Sequence, residues 1–469
     1  MATTAETPRF FGRRRLMSVV EEVTAENVVD VLRSVKLDMD ANAVEIEYLY
    51  NYYKGNQPIL GRTKQVRPEI NNKVVENHAY EIVSFKNGYI FGEPVQYVRR
   101  NEDESISEAL DRLNEIMLSE SKHAQDRMLG EWMHIAGTGY RMCQPTKDDN
   151  KPFEIDVCDP RFTFVVYNTG FKNRPIMGGT KIKTLEDKVR YNIYTPTRYF
   201  EIEDDLIVKD KPNVLGAIPV FEYPANMMRL GAFEVTMGLL DTLNRTVSNR
   251  MDGVEQHIQS FLAFINCDID DPTFTALKEE GALTVKGEMG LPAEIKLLVA
   301  ALDQTDTQIL KDDIYQSILT ICGIPNRHGA TRSTSDTGQA VSLRDGWEDA
   351  EARAKETELM FKLSERQFLA LALKIMRDVA HLPLNLEDID IEISRDKSAN
   401  ILTKTQGMQN QQEFGIDPEI IIAQSGLYAD PADVYQRSKP YIEKRLAAMN
   451  STNKVTPANN KPNPEEGGS

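Results

Sequence analysis

The chain has 469 residues, 41% of them apolar and 27% charged, which suits about three packed units with a sizeable core and excludes a small stapled domain or a collagen-like fibre. Lys and Arg number 55 against 72 Asp and Glu, and the net charge of −17 disfavours adhesion to nucleic acid or anionic lipid, though not a surface past which DNA must slide. The longest aliphatic or aromatic runs, 297–302 and 368–373, are far shorter than the roughly 20 residues of a membrane-spanning helix.

The N-terminal stretch carries basic residues but no apolar h-region followed by a cleavage site, so no secretory signal is expected. Residues 1–40 lack a sustained period and read as a mobile arm leading into a short helix near 25–35. From Ala41, Val44, Tyr48, Leu49, Tyr52 and Tyr53 recur at helical spacing with Gly55 as a stop, and a second helix is expected over 72–87, followed by a strand at 95–98. Short alternating runs between 153 and 223, bounded by Gly, Pro, Asn and Asp, predict a β-rich domain.

A helix over 231–260 follows, with Leu240, Leu243, Val247, Met251, Val254 and Ile258 in a narrow apolar stripe. Its length is roughly 45 Å at 1.5 Å per residue, and so thin a rod needs neighbours. Residues 261–302 read as a compact strand-rich excursion, and a helix over 303–322 returns with an acidic first turn. Gly323-Ile324-Pro325 ends it, and the polar run 326–338 leads to the strongest pattern in the chain. There Leu343, Trp347, Ala350, Ala354, Thr357, Phe361, Ser364, Phe368, Leu371 and Ile375 predict a helix of about 40 residues. A strand at 389–393, a polar helix at 399–412, two short helices begun by Asp417-Pro418 and Asp430-Pro431, and a disordered tail from Asn450 complete the chain.

Candidate chemistry is sparse. Cys143, Cys158, Cys267 and Cys322 are at least fifteen positions apart without a CxxC, and read as reduced core thiols of a cytosolic setting. Asp268, Asp270 and Asp271 resemble a metal cluster, but Pro272 and a following helix make them caps instead. The six histidines are scattered, and no phosphate-cradling GxxxxGK[ST] loop is present, so ATP hydrolysis is not expected. Gly137 to Tyr140 and the pair Gly178-Gly179 read as turns. The loop 326–338 sets Arg327, His328 and Arg332 after a helix bearing Asp303, Asp306, Asp312 and Asp313; it is either a solvated turn or a nucleic-acid contact.

Three stretches together resemble the siphophage-type portal family of tailed bacteriophages. They are Tyr53-Lys54-Gly55 with NNKVVENHAYEIVSFKNGYIFGEPV (71–95), the helix–excursion–helix unit ending in 321–325, and STSDTGQAVSLR (333–344) entering the long helix. The resemblance runs from about 41 to 445. It implies a mixed α+β, portal-type ring subunit with wing, stem helices, clip, a long kinked wing helix and a short helical crown.

The implied organisation is a flexible arm over 1–40, a wing over 41–230, stem helices over 231–260 and 303–322 flanking a clip at 261–302, and a tunnel loop at 323–338. The long wing helix and a strand then fill 339–398, the crown 399–449, and a tail 450–469. Leu240, Leu243, Val247, Met251, Val254 and Ile258 would form an oligomer seam in the stem. Glu279, Glu280 and Glu288 would dock partners at the clip, and Arg327, His328 and Arg332 would touch DNA in the channel.

Also implied are a dodecameric head-to-tail connector through which the genome is packaged and ejected, and partners comprising double-stranded DNA, a terminase motor, an adaptor and a capsid or scaffolding protein. Its location would be the virion vertex, with assembly in the host cytoplasm. No membrane, cofactor, metal or catalytic residue is expected. The rival is a metal-dependent phage DNA-processing enzyme using Asp268, Asp270 and Asp271.

Overall fold

The computed structural model describes residues 2–3, 10–100, 106–148, 151–258, 261–265, 294–298, 305–326, 346–382, 384–395, 401–425, 427–428 and 431–452. Asp268, Asp270, Asp271, Glu279, Glu280, Glu288, Arg327, His328 and Arg332 lie outside the described residues, as do Cys267 and Leu343.

Strands β1 (Ala2–Thr3) and β2 (Leu16–Ser18) precede α1 (Val28–Tyr53), and β3 (Thr63–Lys64) precedes α2 (His78–Ile90). β4 (Gln96–Arg99), α3 (Ser107–Ser119) and α4 (Lys122–Ala136) lead into the strands β5 (Thr138–Asp148), β6 (Lys151–Cys158), β7 (Thr163–Asn168), β8 (Pro175–Lys183), β9 (Val189–Tyr194), β10 (Arg198–Glu203), β11 (Leu206–Pro212) and β12 (Val220–Pro224). Helix α5 (Met237–Ile258), the paired strands β13 (Phe261–Ile265) and β14 (Glu294–Leu298), and helix α6 (Thr305–Cys322) follow. Helix α7 (Trp347–Ala380), β15 (Ile389–Glu392), α8 (Ile401–Glu413), α9 (Pro418–Ser425) and α10 (Pro431–Thr452) complete the order. The last helix is much longer than the short one expected there, running through Pro440.

The arm expected to be mobile over 1–40 is built into the fold from residue 10 onward. β2 adds in parallel to β7 at the edge of a six-stranded sheet ordered β11-β10-β9-β8-β7-β2. Arg13 is buried against Glu45 at 3.1 Å and Glu234 at 2.5 Å. The two helices expected near 25–35 and from 41 are the single helix α1, about 39 Å long. Its first half buries Val28, Val31, Leu32, Val35 and Met39 on Phe164, Val166, Met177, Ile193, Phe200 and Ile202 of the sheet. Its second half buries Leu49, Tyr52 and Tyr53 in a different core beside α5 and α6. Between Met39 and Ile46 the helix crosses from one core to the other, so the apolar period lapses there without any break in the backbone. Asp40, Asn42 and Glu45 fill that gap by pairing with Lys181, the Arg14 backbone and Arg14.

Gly178 and Gly179 are not a turn but the interior of β8. A Cβ on Gly179 would sit 2.2 Å from the Asn192 carbonyl oxygen of β9, and one on Gly178 would sit 2.7 Å from Ile218, so the close packing of backbone and side chains there requires glycine. Gly137, at φ +79°, terminates α4.

The second sheet, β12-β5-β6, packs with α4 and α7 around the largest core. The long-helix pattern is matched: Ala350, Ala354, Phe361, Ser364, Phe368, Leu371 and Ile375 are all buried. Inside this core lies an ionic network. Arg141 of β5 pairs with Asp126 of α4 and, at 2.9 Å, with Glu365 of α7. Lys122 bonds Asp126 at 2.6 Å and Glu365 at 2.9 Å, while the Tyr97 and Tyr223 hydroxyls donate to Glu365. Two cations meet two carboxylates, so the buried charge is balanced.

Candidate stem and loop-base surface

Helices α5 and α6 stand together as a hairpin of rods whose far ends lead to β13 and β14. At the near end the apolar stripe packs inward. Leu240 and Leu243 are fully buried with Ile314, Ile318 and Leu319 of α6, under Tyr52 and Phe233. These two residues are therefore occupied within the chain, which corrects the expectation that the whole stripe faces a neighbouring subunit. Further along, Val247 and Val254 are half-buried and Met251 is 43% exposed. The side chain of Ile258 lies outside the described residues.

The opposite character of α5 is carried by Asn244, Ser248 and Asp252, all buried and spaced by four. They are covered by residues 71–77, an extended segment where a helix was expected from 72. The Asn72 N–H donates to Asp252 Oδ1 at 2.7 Å, the Val74 N–H to Ser248 Oγ at 3.0 Å, and the Glu76 N–H to Asn244 Oδ1 at 2.8 Å. Two residues of extended chain span about 6.6 Å and four residues of helix about 6.0 Å, so alternate backbone donors fall opposite every fourth side chain. The backbone donors that a helix over 72–77 would turn inward are spent on α5 instead.

Charges pin both edges of this strap. Arg62 and Lys64 reach Asp252 at 2.9 and 2.8 Å, and Lys64 and Asn72 hold its carboxyl below the usual range against the opposing effect of burial. On the other edge Lys311 of α6 meets Glu76 at 2.6 Å, and the Tyr315 hydroxyl donates to Glu81 at 3.0 Å. Burial alone would lower the pKa of His78, yet Glu76 and Glu81 raise it to about 9, so His78 is a cation at neutral pH. Because Lys311 is tied to Glu76, the exposed Asp306, Asp312 and Asp313 leave the outer face of α6 acidic.

The end of α6 is closed by a glycine cap. Gly323 takes φ +66°, the Gly323 N–H donates to Thr320 O at 3.1 Å, and the Ile324 N–H donates to Leu319 O at 2.9 Å. A Cβ on Gly346, just before α7, would lie 4.0 Å from Pro325 Cα, so the chain leaves and re-enters this point side by side.

A family model described as "Phage portal protein, SPP1 Gp6-like" matches residues 33–445. The chain belongs to that family. As a portal protein it is a viral connector component, and the match lends no support to the DNA-processing alternative. No curated protein matches it. Among solved structures it is similar to a chain of "Virion of native gene transfer agent (GTA) particle", with 11% identity, a TM-score of 0.46, and coverage of 82% of this chain and 94% of that one. It is also similar to a chain of "Neck of empty GTA particle computed with C6 symmetry", with 12% identity, a TM-score of 0.47, and coverage of 75% and 90%. The portal protein's strap and its buried ionic network are what reading the sequence missed. The spacing of Asn244, Ser248 and Asp252 is visible in the sequence, but their partners lie some 170 to 180 residues earlier.

Proposed function

We propose that this portal protein assembles into a closed homo-oligomeric ring, a dodecamer, that forms the head-to-tail connector at one capsid vertex and conducts double-stranded DNA during packaging and ejection. The family match over 33–445 carries this reading. In it α5 and α6 are the stem, 261–302 the clip, 323–338 the tunnel loop, α7 the wing helix, and α8 to α10 the crown. Val247, Met251 and Val254 face the neighbouring subunit, whose contact removes a half-exposed apolar stripe from water. The acidic outer face of α6 repels phosphates, which keeps a passing duplex from adhering. The protein catalyses no reaction of its own; the motor that docks at the clip supplies the energy.

Glu279, Glu280 and Glu288 give the clip a negative docking face for the terminase and then for the adaptor, while capsid or scaffolding protein meets the wing. Arg327 and Arg332, with His328 as a weaker member, make transient, salt-screened contacts with DNA from the loop above the acidic stem. The decisive experiment is to assemble particles with Arg327→Ala combined with Arg332→Ala and count DNA-filled heads. Normal ring and shell assembly with fewer filled heads is the expected result. Filling equal to wild type would make these residues part of an ordinary solvated turn, and failure to incorporate into heads at all would count against the portal reading itself.

A further inference from the structure

Beside the end of α6, a part-open cavity with room for about 10 Å³ of water is lined by residues of α2, α4, the Gly323 turn and α7. This is the space one water-sized particle occupies. Its lining includes Lys86, His134, Gly323, Arg353 and Thr357. Lys86 is mostly withdrawn from solvent, and among the described residues neither it nor Arg353 forms an ion pair. The Arg353 side chain lies across the open face of Gly323, where a Cβ would come within 2.2 Å of it. His134 is 3% exposed, and its Nε2 has no hydrogen-bond partner.

We infer that this cavity is a binding site for a small monatomic anion, chloride, held by Lys86, Arg353 and the Nε2–H of a neutral His134. Lys86 from within and Arg353 from the exposed side line a space whose water-sized volume suits a monatomic anion, and in the Nε2–H tautomer the buried, unpartnered Nε2 of His134 gains an acceptor there. Burial, with the nearby Lys86 charge adding to it, holds the His134 pKa down at about 3, so the ring stays neutral and offers one donor rather than a third positive charge. The titratable groups around the pocket favour an anion on balance. Cys322 is kept protonated by burial, and of the acids only Glu356 lies close enough to support Lys86, from the exposed side of α7. Bound there, the anion joins the end of α6 to α7 and α2. The site is independent of the ring reading.

Crystals of the full-length protein soaked in sodium bromide should give an anomalous peak in this cavity, between Lys86, Arg353 and His134. In solution, melting temperature should rise with the logarithm of chloride concentration when gluconate keeps ionic strength constant. Lys86→Met should abolish that dependence, while Lys54→Met on the surface should retain it. A water without bromide signal at this position overturns the inference, as does wild-type melting that is identical in chloride and gluconate. The bromide measurement needs no variant, so misfolding of Lys86→Met does not shelter the proposal.

Discussion

Glu365 sits fully buried where two cations and two phenols converge, and its chemistry sets how the largest core responds to acid. Burial by itself would raise its pKa, but Lys122 and Arg141 lower it to about 2 from an ordinary value of 4.5. A carboxylate depressed in the folded state stabilises the fold above its unfolded pKa, and that contribution is lost as pH falls from about 4.5 towards 2. Glu365→Gln leaves the two buried cations with only Asp126, and should cost about 3–5 kcal/mol at pH 7, as the breaking of buried ion pairs does. Urea midpoints of wild type and variant should converge as pH drops from 5 to 3. A gap that stays constant over this range would mean that the network does not titrate through Glu365.

The strap over α5 is held by side chains whose partners are backbone groups, so its disruption leaves donors stranded. Ser248→Ala removes the acceptor of the Val74 N–H in a fully buried position and should destabilise by about 1–3 kcal/mol. The Val74 amide should exchange its hydrogen faster, and unchanged exchange would show that the contact does not restrain the strap. Met251 poses the opposite case. Being 43% exposed in the subunit, Met251→Asp should alter subunit stability by no more than about 0.5 kcal/mol, while weakening ring assembly measured by light scattering. Rings of normal stability would remove Met251 from the seam.

These elements also mark where the amino-acid order speaks for itself. The period of α7 is uninterrupted because one face meets one core, and its buried residues from Ala350 to Ile375 were legible. The split reading of α1 failed because one helix serves two cores, and the turn reading of Gly178-Gly179 failed because close approach of neighbouring groups, not chain reversal, demands glycine. Residues 72–77 were misread as helix because their apolar residues can take helical spacing. What overrides that spacing is a set of acceptors on α5, far away in sequence. In the candidate stem, the residues of the stripe were identifiable, but the division between Leu240 and Leu243 facing inward and Met251 facing outward depends on where α6 and the α1 tyrosines lie.

At the scale of the whole molecule, the proposed ring requires a subunit with a net charge of −17 to meet copies of itself while DNA passes nearby. Self-repulsion of that size is screened over about 8 Å at physiological salt, so ring closure should depend on apolar stem contacts and ion pairs more than on long-range charge. Among the described residues Cys143, Cys158 and Cys322 are free thiols, with Cys143 and Cys158 raised by burial to about 12 and about 11, and ring closure is expected to persist in reducing buffer. The most direct test of the portal reading is native mass spectrometry of the purified full-length protein over a range of concentrations in reducing buffer, with electron microscopy of the same sample. Closed rings with an axial channel, at about twelve times 53.1 kDa, are predicted, whereas a 53.1 kDa species alone at every concentration would contradict the ring.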